Sequence, residues 1–282
     1  MNKNSVKMKK EVGLITGASS GIGKATAILL NKNGFTVYAA ARRLDRMKDI
    51  ENQGVHILLM DVTDDKSLME GVELIIKKEN HIDVLVNNAG YGSYGALEDV
   101  TIAEAKRQFD VNIFGLARLT QLVLPFMRKQ KSGRIINISS IGGKFGEPLG
   151  VWYHATKYAV EGLSDSLRPE LKPFGIDTII VQPGAINTEW GGISFESMEK
   201  ASGKTAYAPL VKLNEPMYRR MTDKQEGSDP IVIAKVILKA IRAKQPKTRY
   251  AAGKFAKLSL LARSILSDRC FDWMMDKVRK MG

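Results

Sequence analysis

A tyrosine followed four residues later by a lysine, Tyr153 and Lys157, is the pair in this chain best suited to move a proton. Side chains at i and i+4 share one face of a helix, so a helical Tyr153-His154-Ala155-Thr156-Lys157 sets an ammonium beside a phenol. A phenol ionises near pH 10, and a neighbouring cation favours its anion. Tyr153 is therefore expected to trade protons closer to neutrality. Ser140 comes thirteen residues earlier, at the end of a strand-like run. Its hydroxyl can hold a reacting oxygen against Tyr153. A lone Tyr-x-x-x-Lys is most often a surface pair; its place after Ser139-Ser140 gives this one weight.

A second set of residues suits a nucleotide. Thr16-Gly17-Ala18-Ser19-Ser20-Gly21-Ile22-Gly23 follows a β-rich run and opens a helical one. Glycines let backbone come close to a pyrophosphate, and a helix start supplies amides and partial positive charge. A site for NAD usually has an acid after the second strand, to hold the ribose 2′-hydroxyl. Here that place reads Ala41-Arg42-Arg43. Two guanidiniums fit a 2′-phosphate instead, which favours NADP(H) over NAD(H). Asp61 and Val62, after the third run, could meet an adenine. Asn88-Ala89-Gly90 closes the fourth and lets backbone approach the same ligand.

Strand-like and helix-like runs alternate six times up to Gly184. Expected strands are Val12–Thr16, Phe35–Ala41, Val55–Met60, Ile82–Asn87, Arg134–Ser139 and Ile176–Gln182, with a last one at Thr248–Ala252. Alternation of this kind predicts an α/β fold: a Rossmann-type doubly wound parallel sheet of about seven strands, with helices on both faces. Ligands of such sheets lie outside the carboxyl ends of the strands. Pro125 is expected to stop or kink the helical stretch 102–128, and Pro169 the helix that starts at Tyr153. The expected organisation is one domain over 1–282, with a substrate lid at 185–228 and a basic extension at 248–282. The lid carries Trp190 and several Met and Tyr residues, and Tyr91 and Tyr94 lie on a nearby turn, so these three aromatics are expected at the substrate.

Taken together, TGASSGIG at 16–23, DVTD at 61–64, NNAG at 87–90, DVNIFG with Asn112, ISS at 138–140, YHATK at 153–157 and PGAINT at 183–188 resemble the short-chain dehydrogenase/reductase family. The likeness runs from about Glu11 to Thr188. It implies a tetrad of Asn112, Ser140, Tyr153 and Lys157. In that scheme Tyr153 exchanges the proton and Ser140 orients the substrate oxygen. Lys157 binds the nicotinamide ribose and lowers the tyrosine pKa, and Asn112 holds a water that links Lys157 to solvent. Pro183, Gly184 and Thr188 would contact the nicotinamide. One departure is Ser20, where NADP-binding members often carry a basic residue. The tail around RYAAGKFAKLSLLARSILSDRC is similar to that of retinol- and steroid-type members. A hydrophobic carbonyl or secondary alcohol is thus the leading substrate, with small or xenobiotic ketones and quinones as the alternative. An epimerase or dehydratase, or a non-catalytic NADP-binding regulator, is disfavoured. The resemblance also implies a homodimer or homotetramer packed through helices around 102–130 and 153–172.

The net charge of +13 sits at the ends of the chain. Residues 235–282 hold thirteen Lys or Arg and three acids, and residues 1–10 hold four Lys and no acid. A neutral body argues against nucleic acid. The basic, amphipathic tail is either solvated or drawn to an anionic membrane surface. A single Cys270, and His56, His81 and His154 without ligand spacing, predict no metal. No signal-like or membrane-spanning run is seen, so the chain is expected in the cytoplasm, with peripheral membrane contact as the variation.

Overall fold

Continuous aliphatic runs become strands because both of their faces are covered. The computed structural model describes residues 10–222 and 225–280, so all of the basic N-terminus except Lys10 lies outside the described residues. Strands β1 (Val12–Thr16), β2 (Thr36–Ala41), β3 (His56–Leu59), β4 (Val84–Asn87), β5 (Gly133–Ile138), β6 (Ile176–Pro183) and β7 (Arg249–Ala252) form one sheet. Its order is β3-β2-β1-β4-β5-β6-β7 and every pairing is parallel, as expected. The order reverses between β1 and β4, which opens a crevice at the carboxyl ends of the strands.

Successive strand residues feed opposite layers. Ile15, Ala39, Ile136 and Ile179 face α1 (Gly21–Lys32) and α8 (Ile231–Arg242), where they meet Leu30, Ile237 and Ile241. Leu14, Tyr38, Leu85 and Ile135 point the other way, onto Leu68 and Val72 of α2 (Asp65–Glu79) and Leu119 and Val123 of α4 (Leu116–Gln130). Between α3 (Ile102–Phe109) and α4 the chain makes a π-helical turn, Asp110–Gly115. Long α5 (Val151–Leu171) begins beside the end of β5.

Neither proline stops its helix. α4 runs through Pro125 to Gln130 and α5 through Pro169 to Leu171. Both prolines are exposed, so the carbonyl that each leaves without an amide donor turns to water. The segment 185–228 is mostly helical, as α6 (Trp190–Ser202) and α7 (Ala208–Thr222). Two further helices, α9 (Ala256–Ile265) and α10 (Asp268–Lys280), follow β7. Among the described residues no helix is long and apolar enough to cross a membrane.

Candidate active site

The first turn of the site is shaped by glycines. Gly17 (φ +66°) and Gly21 (φ +53°) take left-handed backbone that a side chain would strain. A Cβ on Gly17 would stand 2.8 Å from the Ala89 Cα, and one on Gly23 2.5 Å from the Gly17 carbonyl oxygen. Thr16 ties this turn to the end of β4: its hydroxyl accepts from the backbone amides of Asn88 and Ala89, each at 3.0 Å. Ser20 precedes α1, yet its side chain does not cap the helix. An uncapped helix start behind a glycine cradle fits a pyrophosphate, so the residues present suit the dinucleotide that the sequence implies. Ile22 turns inward from the same turn and packs against the core.

Arg43 reaches to 3.5 Å from the Ser19 hydroxyl, and Arg42 lies 3.9 Å from the Asp61 carboxylate. Val62 is pressed by the π-helical turn, where a Cβ on Gly115 would stand 2.4 Å from its carbonyl oxygen. On the opposite side of the crevice β6 ends at Pro183. Gly184 leaves no space for a side chain, since a Cβ there would stand 2.2 Å from the Lys254 carbonyl oxygen. The Thr188 methyl lies against Gly21, and the Thr188 hydroxyl accepts from the Trp190 amide at 3.3 Å.

Ser140, just past β5, accepts from the Gly142 amide at 3.0 Å and hydrogen-bonds the Tyr153 hydroxyl. Tyr153 sits in the first turn of α5 and is 8 % exposed. One turn on, Lys157 donates to the Ile138 carbonyl at 2.9 Å, its Nζ 5.8 Å from the centre of the Tyr153 ring. The three side chains are therefore brought together. Burial pushes the Tyr153 hydroxyl up to about 12; the Ser140 bond pulls it down and the Glu147 carboxylate raises it further. Lys157 is not among the groups that shift it. Burial likewise drops Lys157 to about 8, against a raising effect of Glu161, and one of its N–H groups donates to Ile138.

Asn112 lies in the π-helical turn with its side chain fully engaged. Its amide donates to the Tyr91 carbonyl at 2.9 Å and the Thr156 hydroxyl at 3.0 Å, and its Oδ1 accepts from the Tyr91 amide at 3.1 Å. Both amide hydrogens are thus used within the protein.

A family model described as short chain dehydrogenase matches residues 11–198. The chain belongs to the short-chain dehydrogenase family. Its similarity to a 3-ketodihydrosphingosine reductase of Bacteroides thetaiotaomicron is 39 % identity, over 91 % of this chain and 93 % of that one. A solved short-chain dehydrogenase from Streptomyces avermitilis superposes with a TM-score of 0.79 at 34 % identity, covering 95 % of this chain and 97 % of the other. ElxO, solved with NADP bound, gives a TM-score of 0.69 at 30 % identity, over 85 % and 95 % of the two chains. The protein is thus an oxidoreductase with a place for a nicotinamide cofactor.

In this short-chain dehydrogenase an aromatic nest covers Tyr153. The ring centres of Tyr94 and Trp190 lie 5.5 and 5.1 Å from that of Tyr153, and Tyr218 of α7 stands 6.1 Å from Tyr94. Buried Leu149, Met198 and Val211 complete it. Of the three aromatics expected at the substrate, Tyr94 and Trp190 lie against Tyr153. The Tyr91 hydroxyl donates to Glu104 at 3.0 Å and Arg107 lies over its ring, which turns the side chain toward α3 and leaves its backbone beside Asn112. Sequence reasoning also missed Glu161, one turn beyond Lys157. Nearly buried, it accepts from Gln182 at 3.0 Å and pairs with Lys144 and Arg249, each at 2.9 Å. The i+4 spacing that singled out Lys157 points equally to Glu161. Arg46 and Glu189, which pair across the crevice, carried no such signal.

Proposed function

We propose that this enzyme uses NADPH to reduce an apolar ketone, with Tyr153 giving the proton to the carbonyl oxygen. The observation that carries this reading is the buried Tyr153 hydroxyl, bonded to Ser140 beneath Tyr94 and Trp190. In the protein without cofactor burial keeps the Tyr153 phenol protonated, so the proton to be donated is in place. Ser140 positions the oxygen, and Lys157 with Asn112 orders the floor of the pocket. The nicotinamide, when bound, supplies the hydride. Gly17, Ser19 to Gly23, Asp61, Val62, Asn88 to Gly90, Pro183, Gly184 and Thr188 are the residues to hold it. Arg42 and Arg43, with no acid after β2, favour the 2′-phosphate form.

Helices α6 and α7 act as the lid, and their Trp190 and Tyr218 suit an apolar body. Glu147 adds a sign to the pocket: its backbone amide donates to His154 Nε2 at 3.0 Å, next to Tyr153, and its charge raises the hydroxyls of Tyr94, Tyr153 and Tyr218. A carboxylate at that place suits a ketone with a cationic neighbour. The Bacteroides relative is named for 3-ketodihydrosphingosine, a long-chain ketone with an amine beside its carbonyl. We take a substrate of that class as the leading one. The exposed Ile102, Phe114, Val151 and Tyr158 on α3, the π-helical turn and α5 support packing against a second copy.

The test is NADPH oxidation with 3-ketodihydrosphingosine in detergent, with a long-chain ketone lacking the amine, and with small ketones and quinones. Turnover of the amino ketone, with a raised KM in Glu147→Gln, supports the reading. Faster turnover of small ketones or quinones than of either long-chain ketone overturns the apolar class.

A further inference from the structure

An apolar stripe on α9 is left facing outward. Leu258, Leu261 and Ile265 follow one another at i, i+3 and i+7, so they share one side of the helix. Leu258 is 67 % and Ile265 71 % exposed, while Ala256 on the opposite side is fully buried. Phe255, at the head of α9, holds a left-handed backbone (φ +65°) and is exposed as well. A large side chain in that conformation is costly; the backbone on either side is pinned, with the Ala185 amide donating to the Lys254 carbonyl at 3.1 Å and the Ala256 amide to the Gly253 carbonyl at 3.2 Å.

Trp273 repeats the pattern on α10, with 66 % of its surface exposed and Lys277 over its ring. α10 is anchored on its other face, where the buried Phe271 ring packs tilted against Phe145, centres 5.1 Å apart. Phe145 belongs to the segment that follows Ser140, and Arg263 of α9 donates to the Lys144 carbonyl of the same segment. The two helices thus stand beside the mouth of the candidate active site.

Residues 254–280 hold seven Lys or Arg against three acids, all three of them on α10, where Asp268 pairs with Arg263 and Asp276 with Arg279 and Lys280. α9 itself carries Lys257 and Arg263 and no acid, and Lys254 precedes it. Residues 235–282 together hold thirteen basic and three acidic side chains. Exposed Leu, Ile and Trp set among Lys and Arg are what an interfacial helix presents to lipid: apolar side chains enter the acyl boundary and cations meet anionic headgroups.

We propose that α9 and α10 form a docking surface for an anionic lipid bilayer, with Leu258, Leu261, Ile265 and Trp273 as the inserted side chains. The surface would let an apolar substrate pass from the bilayer to the pocket; that purpose rests on the function proposed above, whereas docking itself does not.

The test uses the full chain and sucrose-loaded vesicles, of phosphatidylcholine alone or with phosphatidylglycerol. The wild type is expected to sediment with the phosphatidylglycerol vesicles, to shift its tryptophan emission to the blue, and to bind several-fold less in high salt. Leu258→Ser/Leu261→Ser/Ile265→Ser should lower partitioning by about tenfold or more, from the lost apolar area. Because those side chains face outward, its melting temperature should match the wild type. Trp273→Phe provides a second variant: it should retain most binding and lose the blue shift. No sedimentation with phosphatidylglycerol vesicles, equal binding to phosphatidylcholine alone, or equal binding by the triple variant overturns the proposal. So does a wild type that forms oligomers through this face and a triple variant that does not, since a second copy would then be its partner. No turnover is read, so failure here leaves the proposed reaction standing, and failure of that reaction leaves this surface untouched.

Discussion

Arg46, in the turn after β2, grips the Glu189 carboxylate at the head of α6 through both terminal guanidinium nitrogens, one of them at 2.9 Å. The pair joins the adenine side of the crevice to the proposed lid. Nearby, the Thr188 methyl presses on Gly21. A dinucleotide that enters here has to part these contacts. Both side chains are more than a third exposed, so the pair is weak and is weakened further by salt. Glu189→Gln should therefore speed NADPH association by about two- to fivefold at low salt, and less at 0.5 M. Stopped-flow fluorescence of NADPH reads this directly; an association rate equal to wild type at both salts removes the pair from cofactor entry.

Lys157 makes stability depend on pH in a definite direction. Its folded pKa, about 8, lies below the unfolded value near 10.4. Between these values the unfolded chain holds a proton that the folded chain has lost, so this group raises stability as pH climbs. Below about pH 8 both states are protonated, and the full cost of the buried charge is present. Lys157→Met should remove about 3 kcal/mol of that cost and lose about 1 kcal/mol with the Ile138 hydrogen bond. The variant is expected to melt several degrees higher at pH 7, with the gap shrinking toward pH 10. Melts from pH 6 to 10 check this. A variant less stable than wild type at pH 7, with a gap independent of pH, shows that Lys157 is not held under desolvation.

Arg42 and Arg43 offer the selectivity test. Arg43 is within 3.5 Å of the Ser19 hydroxyl beside the glycine turn, and Arg42 is near Asp61. Charged hydrogen bonds to phosphate are worth about 1.5–3 kcal/mol each. Arg42→Ala/Arg43→Ala should weaken NADPH by about a hundredfold and leave NADH within about threefold. Equal losses for both dinucleotides, measured by titration, deny the arginines a role at the 2′-phosphate.

The sheet was readable because each of its inner strands is a run of aliphatic residues closed by a turn former, as in Ile135-Ile136-Asn137-Ile138 before Ser139-Ser140. The site was readable in the same way, since parallel strands deliver their terminal residues to one edge. What escaped depends on packing. α6 starts with Trp190-Gly191-Gly192 and α7 contains Pro216, so local propensity argues against the helices that contact with Tyr94 and Tyr153 stabilises. The direction of the Tyr91 ring is decided by Glu104 and Arg107, which sequence proximity to Gly90 does not reveal. The burial of Tyr153, with Trp190 and Tyr94 against its ring, is likewise a matter of packing that spacing does not show.

The proposed chemistry stands on one hydroxyl, and Tyr153→Phe removes it while leaving the ring in the nest. With NADPH and a turned-over ketone both saturating, kcat should fall by about a thousandfold, within the range for loss of a general acid, while NADPH binds within about threefold of wild type. A Tyr153→Phe enzyme that keeps wild-type kcat overturns the assignment of the proton to Tyr153.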